Sequence, residues 1–517
     1  METIEESMNG ELQLPEVIIQ HIQSYLDRRQ SGQTTVLSKS WYSAWSTRPI
    51  LDFDERDFES KRNAGVSGLQ IAERFTVKRR FAKFVTRTMQ RYHELNLKIE
   101  DFRLWIWVTD SDSASVVNEF ITRALKLRVS NFSLEIGGCY WWYVLPVQVF
   151  EAKSLVKLSV SGCKIDHGVT ICSNIESLSL CRVFIRDYMI RDIMLGCPLL
   201  EKLHLSECNG LSNVNLSELH NLKKFSVTKC LWVDNRSFIG NRVNVPKYGK
   251  LSCLMLEQVQ IDDFFFHDFS LKFPCLEDLS LHQCYGYNNI EISSRSLKYI
   301  SLIHEDELNK AKFEVSRICK FKFTGSSIPS LSFMTPSREY ESYISFTFTS
   351  RDNVLGDCWF YDLKKFLTEL SPSRISLSIT MFLDKSKYCV GNDGGHPIPV
   401  VENLMIKIHP SAWLWSAVFD DVFWSCRPKF ITFCDDDDDE YIFKTGMVLC
   451  TFLVPQASQD CSGKFSYMND LEEVNVEFFE ETLKEWQPLL PWKVFLSSSK
   501  FKENKKQFRF GLKWRAC

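Results

Sequence analysis

The chain has 517 residues, 44% of them hydrophobic and 25% charged, which is enough apolar material for a large core and unlike a disordered composition. Its 62 Lys+Arg offset 65 Asp+Glu to leave a formal charge of -3, so there is no basic excess to neutralise phosphates and nucleic acid is not an expected partner. The start, Met1-Glu-Thr-Ile-Glu-Glu, lacks the basic and apolar regions of a secretory signal, and the apolar stretches at Trp413 to Phe419 and Met447 to Pro455 fall short of the roughly 20 residues that span a bilayer. The expectation is a protein of the cytoplasm or nucleus with no membrane association, its 18 cysteines held as thiols with no Cys-x-x-Cys pair to suggest zinc or redox chemistry.

Residues 1–11 read as a flexible tail and residues 12–55 as a small helical module. Leu14-Pro15-Glu16 opens a helix, and Ile18, Ile19, Ile22, Tyr25 and Leu26 recur at helical spacing. A break at Arg28 to Gly32 precedes a second apolar stretch, Thr35, Val36, Leu37, Trp41 and Trp45, which ends near Pro49. A helical hairpin of that size is small to stand alone, and its exposed apolar residues call for a partner surface. Residues 56–130 read as a bridging helix and atypical first repeats. One helix face carries Phe81, Phe84, Val85, Thr88, Met89 and Tyr92, with Lys78-Arg-Arg80 as a solvated face. Strands are expected at Leu95 to Ile99 and Leu104 to Val108, then a helix at Ser113 to Leu127.

From 131 to 480 the dominant signal is an internal repeat. After a strand at Phe132 to Ile136, the pattern apolar-x-x-apolar-x-apolar begins at Leu155, Ile175, Leu200, Leu222, Leu251, Leu276, Leu297 and Ile318, at spacings of 20, 25, 22, 29, 25, 21 and 21 residues. These bracket the roughly 20 to 29 residues of leucine-rich repeats. The fourth and sixth positions form a short strand with one face buried, and stacked copies make a parallel sheet with a continuous core. Cys163, Cys208, Cys230 and Cys284 sit eight residues after the first position, where a small group fills the turn, whereas Val183, Val259 and Glu305 replace it in other copies. The residue between the two strand apolars faces outward, which places Ser159, Ser179, His204, Ser226, Met255, Ser280, Ser301 and Lys322 on the concave side. Of these, Ser159, His204, Ser226, Met255 and Ser280 are the candidate target contacts.

Short helices are expected at Ile185 to Met194, Phe264 to Leu271, Leu363 to Leu370 and Ala412 to Trp424, with further strands at Ile375 to Ile379, Leu404 to Ile408 and Phe430 to Phe433. Trp141, Trp142 and Tyr143 read either as an aromatic anchor or as packing at the solenoid edge. Asp384 to Pro399 and the acidic run Asp435 to Glu440 read as loops. Residues 481–517, with Leu489-Leu-Pro-Trp492 and the basic Lys500 to Lys506, read as a C-terminal cap.

The fold class is therefore α/β: a small all-α N-terminal module, then a repeat solenoid whose parallel sheet is backed by short helices. No nucleophile elbow, His-Glu-x-x-His or phosphate loop occurs, and the ten histidines are dispersed, so no catalytic residue, metal ligand or cofactor is expected. Leu14-Pro-Glu16 with Ile18, Ile19, Ile22 and Leu26, followed by Val36-Leu-Ser-Lys-Ser-Trp41, resembles an F-box, and the whole chain is similar to plant F-box/leucine-rich-repeat proteins. The resemblance implies a non-catalytic substrate receptor that docks a Skp-family adaptor, joins a cullin-based (SCF-type) ubiquitin ligase and presents an unknown protein target. Carried over by position, the adaptor contacts would be Leu14, Pro15, Ile18, Ile19, Ile22, Val36, Leu37 and Trp41. Gly32 departs from the helix formers common at its place, and no signature of the C-terminal FBD region of many relatives is seen. The alternatives are a repeat scaffold with no ligase role and a small-molecule-dependent receptor.

Overall fold

A computed structural model describes residues 14–59, 71–138, 142–166, 174–211, 216, 219–229, 231–232, 248–304, 308–334, 339–348, 359–382, 397–409, 415–432, 470–480, 484–488 and 508–515. The chain divides into two compact units, Met1–Arg236 and Ser237–Cys517. Cys230, Trp141, Glu305, the acidic run Asp435 to Glu440, Gly391 to Gly395, Leu489 to Trp492 and Lys500 to Lys506 lie outside the described residues.

The first unit opens with three helices, α1 (Glu16–Ser24), α2 (Arg28–Gln33) and α3 (Lys39–Thr47). The expected break at Arg28 to Gly32 is thus itself a helix, because Asp27 accepts from the Gln30 N–H while the Gln30 side chain accepts from the Asp27 N–H, a reciprocal cap that starts a new turn. The expected second helix divides at Ser38, whose side chain caps α3 after a short 3-10 turn at Thr34–Val36. Ile50–Asp54, inside the stretch read as the helical module, is instead the first strand of a sheet and pairs in parallel with Asp101–Trp107. The ladder continues through Asn131–Gly137, Lys157–Ser161, Ser177–Cys181, Lys202–Ser206 and Lys224–Thr228, all parallel.

Helices Ile71–Glu94 (α4), Ser111–Lys126 and Asp187–Gly196 accompany these strands. No strand forms over Leu95 to Ile99; the chain leaves α4 in a turn with Asn96 at φ 49°. Phe53, Phe102 and Phe132, on successive strands, pack ring to ring at 5.9 and 5.4 Å inside the sheet. Glu55 follows the first strand in the 3-10 turn Glu55–Phe58 and is 2% exposed. Its Oε2 accepts from the Trp107 N–H at 2.8 Å, and burial pushes its carboxyl up to about 7.

The second unit continues the same grammar. Strands Cys253–Glu257, Asp278–His282, Tyr299–His304, Lys320–Gly325, Glu341–Phe348, Arg374–Phe382, Val400–His409 and Arg427–Thr432 form a parallel ladder. Between Asn289 and Met334 a second parallel sheet, Asn289–Ser294, Lys310–Val315 and Ser330–Met334, takes the place of the helical layer. Their side chains alternate with period two, so a strand is the local preference there. Helices Trp359–Glu369 and Trp415–Ser425 resume the helical layer. The parallel ladder stops at Thr432: Phe508–Trp514 pairs antiparallel with Arg427–Thr432 on one side and with Leu471–Glu480 on the other, and Glu485–Pro488 lies beyond. Residues 471–480 are therefore part of an antiparallel closing hairpin rather than a last repeat.

Within each repeat the two strand apolars are enclosed. Leu158, Val160, Leu203, Leu205, Leu279 and Leu281 are all buried, each worth about 1.5 to 3 kcal/mol in area removed from water. Cys163, Cys208 and Cys284 fill the turn, and the Cys208 and Cys284 thiols donate to the carbonyls of Leu180 and Leu256 one repeat earlier, at 3.4 and 3.3 Å. Just before that position the backbone is left-handed in six copies, at Arg182, Glu207, Lys229, Gln258 and Gln283 with φ of 51 to 53° and at Gly162 with φ 72°, whereas in the last two copies His304 and Gly325 end their strands there in extended backbone. The kink aims the N–H at the next repeat: Gly162 donates to Cys181, Arg182 to Ser206, Glu207 to Thr228 and Gln258 to His282. Each such bond joins neighbouring repeats.

Candidate functional site

The three N-terminal helices are built inside out. Around α1, the side that meets α3 carries Glu16, Ile19, Gln20 and Gln23, while Leu14, Val17, Ile18, Ile22 and Tyr25 face solvent. The inner polar groups close the module by hydrogen bonds. Gln20 Nε2 donates to Thr47 Oγ1 at 3.2 Å, Gln23 Nε2 donates to Thr34 Oγ1 at 2.8 Å and to the Trp41 carbonyl at 3.3 Å, and the Thr47 hydroxyl donates to Glu16. Arg48 Nη1 donates to the enclosed Ser31 hydroxyl at 3.2 Å. Among the described residues of the three helices only Ile19 and Ala44 are buried apolar side chains, at 1% and 0% exposure.

Eight large apolar side chains remain on the outside: Leu14, Val17, Ile18, Ile22 and Tyr25 on or beside α1, Val36 and Leu37 in the turn before α3, and Tyr42 on α3. Val36 is 85% exposed. An exposed apolar group of this extent marks an interaction surface. Pro15, at the N-cap of α1, is exposed as well, and its carbonyl accepts from the N–H groups of Ile18 and Ile19. Of the eight positions carried over from the resemblance, Leu14, Pro15, Ile18, Ile22, Val36 and Leu37 are exposed and Trp41 is half-buried. Ile19 is corrected: it fills the module's own interior, because the turn of the helix puts it beside Gln23 and opposite Ile18. Val17, Tyr25 and Tyr42 were not among the carried-over contacts; the apolar stripe through Leu14 and Ile18 points to the first two. The module is tethered to the rest of the first unit by α4, where Arg91 Nη2 donates to the Ser46 carbonyl at 3.1 Å and the Tyr92 hydroxyl to the Arg48 carbonyl at 2.9 Å.

The outward residues of the sheets form registered rows. In the first unit Arg103, Ser133, Ser159, Ser179, His204 and Ser226 stand side by side. In the second unit Met255, Ser280, Ser301, Lys322 and Tyr343 do the same. Ser159, His204, Ser226, Met255 and Ser280 are each half-buried by their row neighbours. Partial burial holds the His204 imidazole below its usual pKa, so it is neutral near pH 7 and acts as a hydrogen-bonding group. His282, two positions beyond Ser280 on the same strand, hydrogen-bonds the Ser301 hydroxyl at 2.9 Å. Of the aromatic trio, Tyr143 is buried with its hydroxyl donating to Asn118 Oδ1 at 2.6 Å, and Trp142 is half-exposed 6.1 Å from the Phe184 ring. Tyr143 is therefore edge packing. Among the described residues no cluster of three His, Cys, Asp or Glu side chains is arranged to hold a metal, and no helix is long and apolar enough to cross a membrane.

Comparison with known proteins agrees with this layout. Residues 88–237 match the family model described as At1g61320/AtMIF1, LRR domain. The chain is similar to the putative F-box/LRR-repeat protein At3g18150 of Arabidopsis thaliana, at 26% identity over 235 residues, 44% of each chain. It is similar to the putative F-box/LRR-repeat protein At5g02930 of the same plant at 25% identity over 221 residues, 43% of this chain and 42% of the relative. A third relative, the F-box/LRR-repeat protein At3g58930, is 26% identical over 224 residues, 41% of this chain and 44% of its own length. The match thus spans less than half the length of these relatives.

Proposed function

We propose, taking as premise this chain's kinship with the plant F-box/leucine-rich-repeat proteins, that it is a substrate receptor of an SCF-type ubiquitin ligase. In this reading the outer face of α1 to α3 docks a Skp-family adaptor, which links the chain to a cullin. The registered sheet rows capture a protein target, and the chemistry of ubiquitin transfer belongs to other subunits. The chain works in the cytoplasm or nucleus, where that machinery resides, and needs no cofactor.

One observation carries the reading: three helices that, among the described residues, bury only Ile19 and Ala44 of their apolar side chains and keep eight large ones outside gain their burial from a partner. Polar closure by Gln20, Gln23 and Ser31 lets the helices hold their shape while those side chains stay available. The test is affinity capture from plant cells with the proteasome blocked, comparing the intact chain with the Ile18→Asp, Val36→Asp double variant. Intact protein should bring down adaptor, cullin and ubiquitinated target; the variant should keep the target and lose the other two. Equal recovery of adaptor by both would overturn the reading.

A further inference from the structure

The sheet face of the first unit is electrostatically one-sided. Across the strands Lys157–Ser161, Ser177–Cys181, Lys202–Ser206 and Lys224–Thr228, the twelve outward positions hold three lysines, seven Ser or Thr hydroxyls, one imidazole and one thiol, and no carboxylate. The chain as a whole carries slightly more acid than base, so this is a local arrangement. Lys202 and Lys224 are directly opposite in register on adjacent strands, and Lys157 lies in the same row two strands away.

All three are exposed, and none forms an ion pair among the described residues. Like charges directly opposite in a sheet repel each other. Of the carboxylates at the margin, Glu135 is engaged with Arg182 at 3.0 Å, Glu201 with Lys223 at 2.6 Å and Asp101 with the Asn131 amide at 2.6 Å, while Glu176 and Glu207 are exposed just beyond the strand ends. The face itself thus carries three positive charges and no negative one, over a floor of short side chains that a backbone can approach closely.

We propose that this face binds an extended acidic peptide, rich in Asp and Glu, laid across the strands. Its carboxylates meet Lys157, Lys202 and Lys224, and its backbone polar groups meet the hydroxyl row of Ser159, Ser179 and Ser226. Three strand spacings separate the outermost lysines, about 14 Å, the reach of four or five extended residues. The inference deepens the target-capture part of the proposed function and rests on it.

The test is fluorescence anisotropy of the full-length chain with a labelled peptide alternating Glu and Ser, beside its Lys/Ser counterpart and an oligo-dT of equal charge. The Glu/Ser peptide should bind and weaken with added salt, K202E/K224E should weaken it about tenfold or more, and the same variant should gain affinity for the Lys/Ser peptide. K310E/K365E, an equal charge change in the second unit, should bind as the unaltered chain does. Unchanged binding by K202E/K224E, no binding of the Glu/Ser peptide, or tighter binding of oligo-dT would each overturn the proposal. Adaptor binding is measured on the same preparations. Its failure with peptide binding intact would sink the ligase reading alone, and the converse would sink this one alone.

Discussion

A carboxyl enclosed at the end of a strand makes stability depend on pH. Glu55 is held at about 7 because burial disfavours its charge by more than the Trp107 N–H and the Lys78 charge favour it. Unfolded, it titrates near the ordinary glutamate value of 4.5, so between the two values the folded chain holds the extra proton. The stability tied to that proton is fully present below the unfolded pKa and is lost as pH rises through about 7, an effect on the order of 3 kcal/mol at most. Glu55→Gln should flatten the dependence of the thermal midpoint between pH 5 and 8 and raise the midpoint at pH 8. An unchanged slope would contradict the assignment. The repeat-turn thiols make a second residue-scale prediction. Burial pushes Cys163 up to about 12 and Cys284 up to about 11, so both should alkylate slowly in the native protein while the exposed Cys275 and Cys319 react at once. Fast native labelling of Cys163 would remove it from the turn interior.

At the scale of the element, the left-handed residue that follows six of the repeat strands decides how tightly those neighbours join. At Gly162 an added Cβ would collide with the Ile136 carbonyl oxygen, so Gly162→Ala should cost about 2 kcal/mol or more, whereas Arg182→Ala keeps a backbone already adapted to a side chain and should cost far less. Leu279→Ala should cost about 2 to 5 kcal/mol and Ser280→Ala within about 0.5 kcal/mol, as denaturant melts would show. A reversed order would mean the strand register is displaced by one residue. The strands themselves were legible because the buried pair at Leu158 and Val160, Leu203 and Leu205, and Leu279 and Leu281 recurs with a fixed internal spacing. The left-handed turn was not, since five of its six described occupants are Arg, Glu, Lys or Gln and only Gly162 advertises it. The division of the second N-terminal helix at Ser38 and the extra helix at Arg28 depend on caps, which apolar periodicity does not register. The antiparallel closure by Phe508–Trp514 joins segments far apart in the chain, and no local pattern encodes that pairing.

For the molecule as a whole, two kinds of surface stand out. The helical module offers apolar side chains with almost no core of its own, and the sheets offer ordered polar rows over a deep core. The exposed apolar stripe of α1 was legible in the sequence because Leu14, Ile18 and Ile22 recur at helical spacing; the burial of Ile19 was not, because adjacent apolar residues on a helix point to different sides and only the packing of α3 shows which side is inward. Since exposed residues contribute little to stability, Ile18→Asp and Val36→Asp should melt within about 0.5 kcal/mol of the unaltered chain. The direct measurement is calorimetric titration of the full-length protein with a purified Skp-family adaptor. The Ile18→Asp, Val36→Asp variant should lose at least tenfold in affinity, about 1.4 kcal/mol, while K202E/K224E binds the adaptor unchanged. Equal affinity of the apolar-face variant and the unaltered chain, with both folded, would contradict the account.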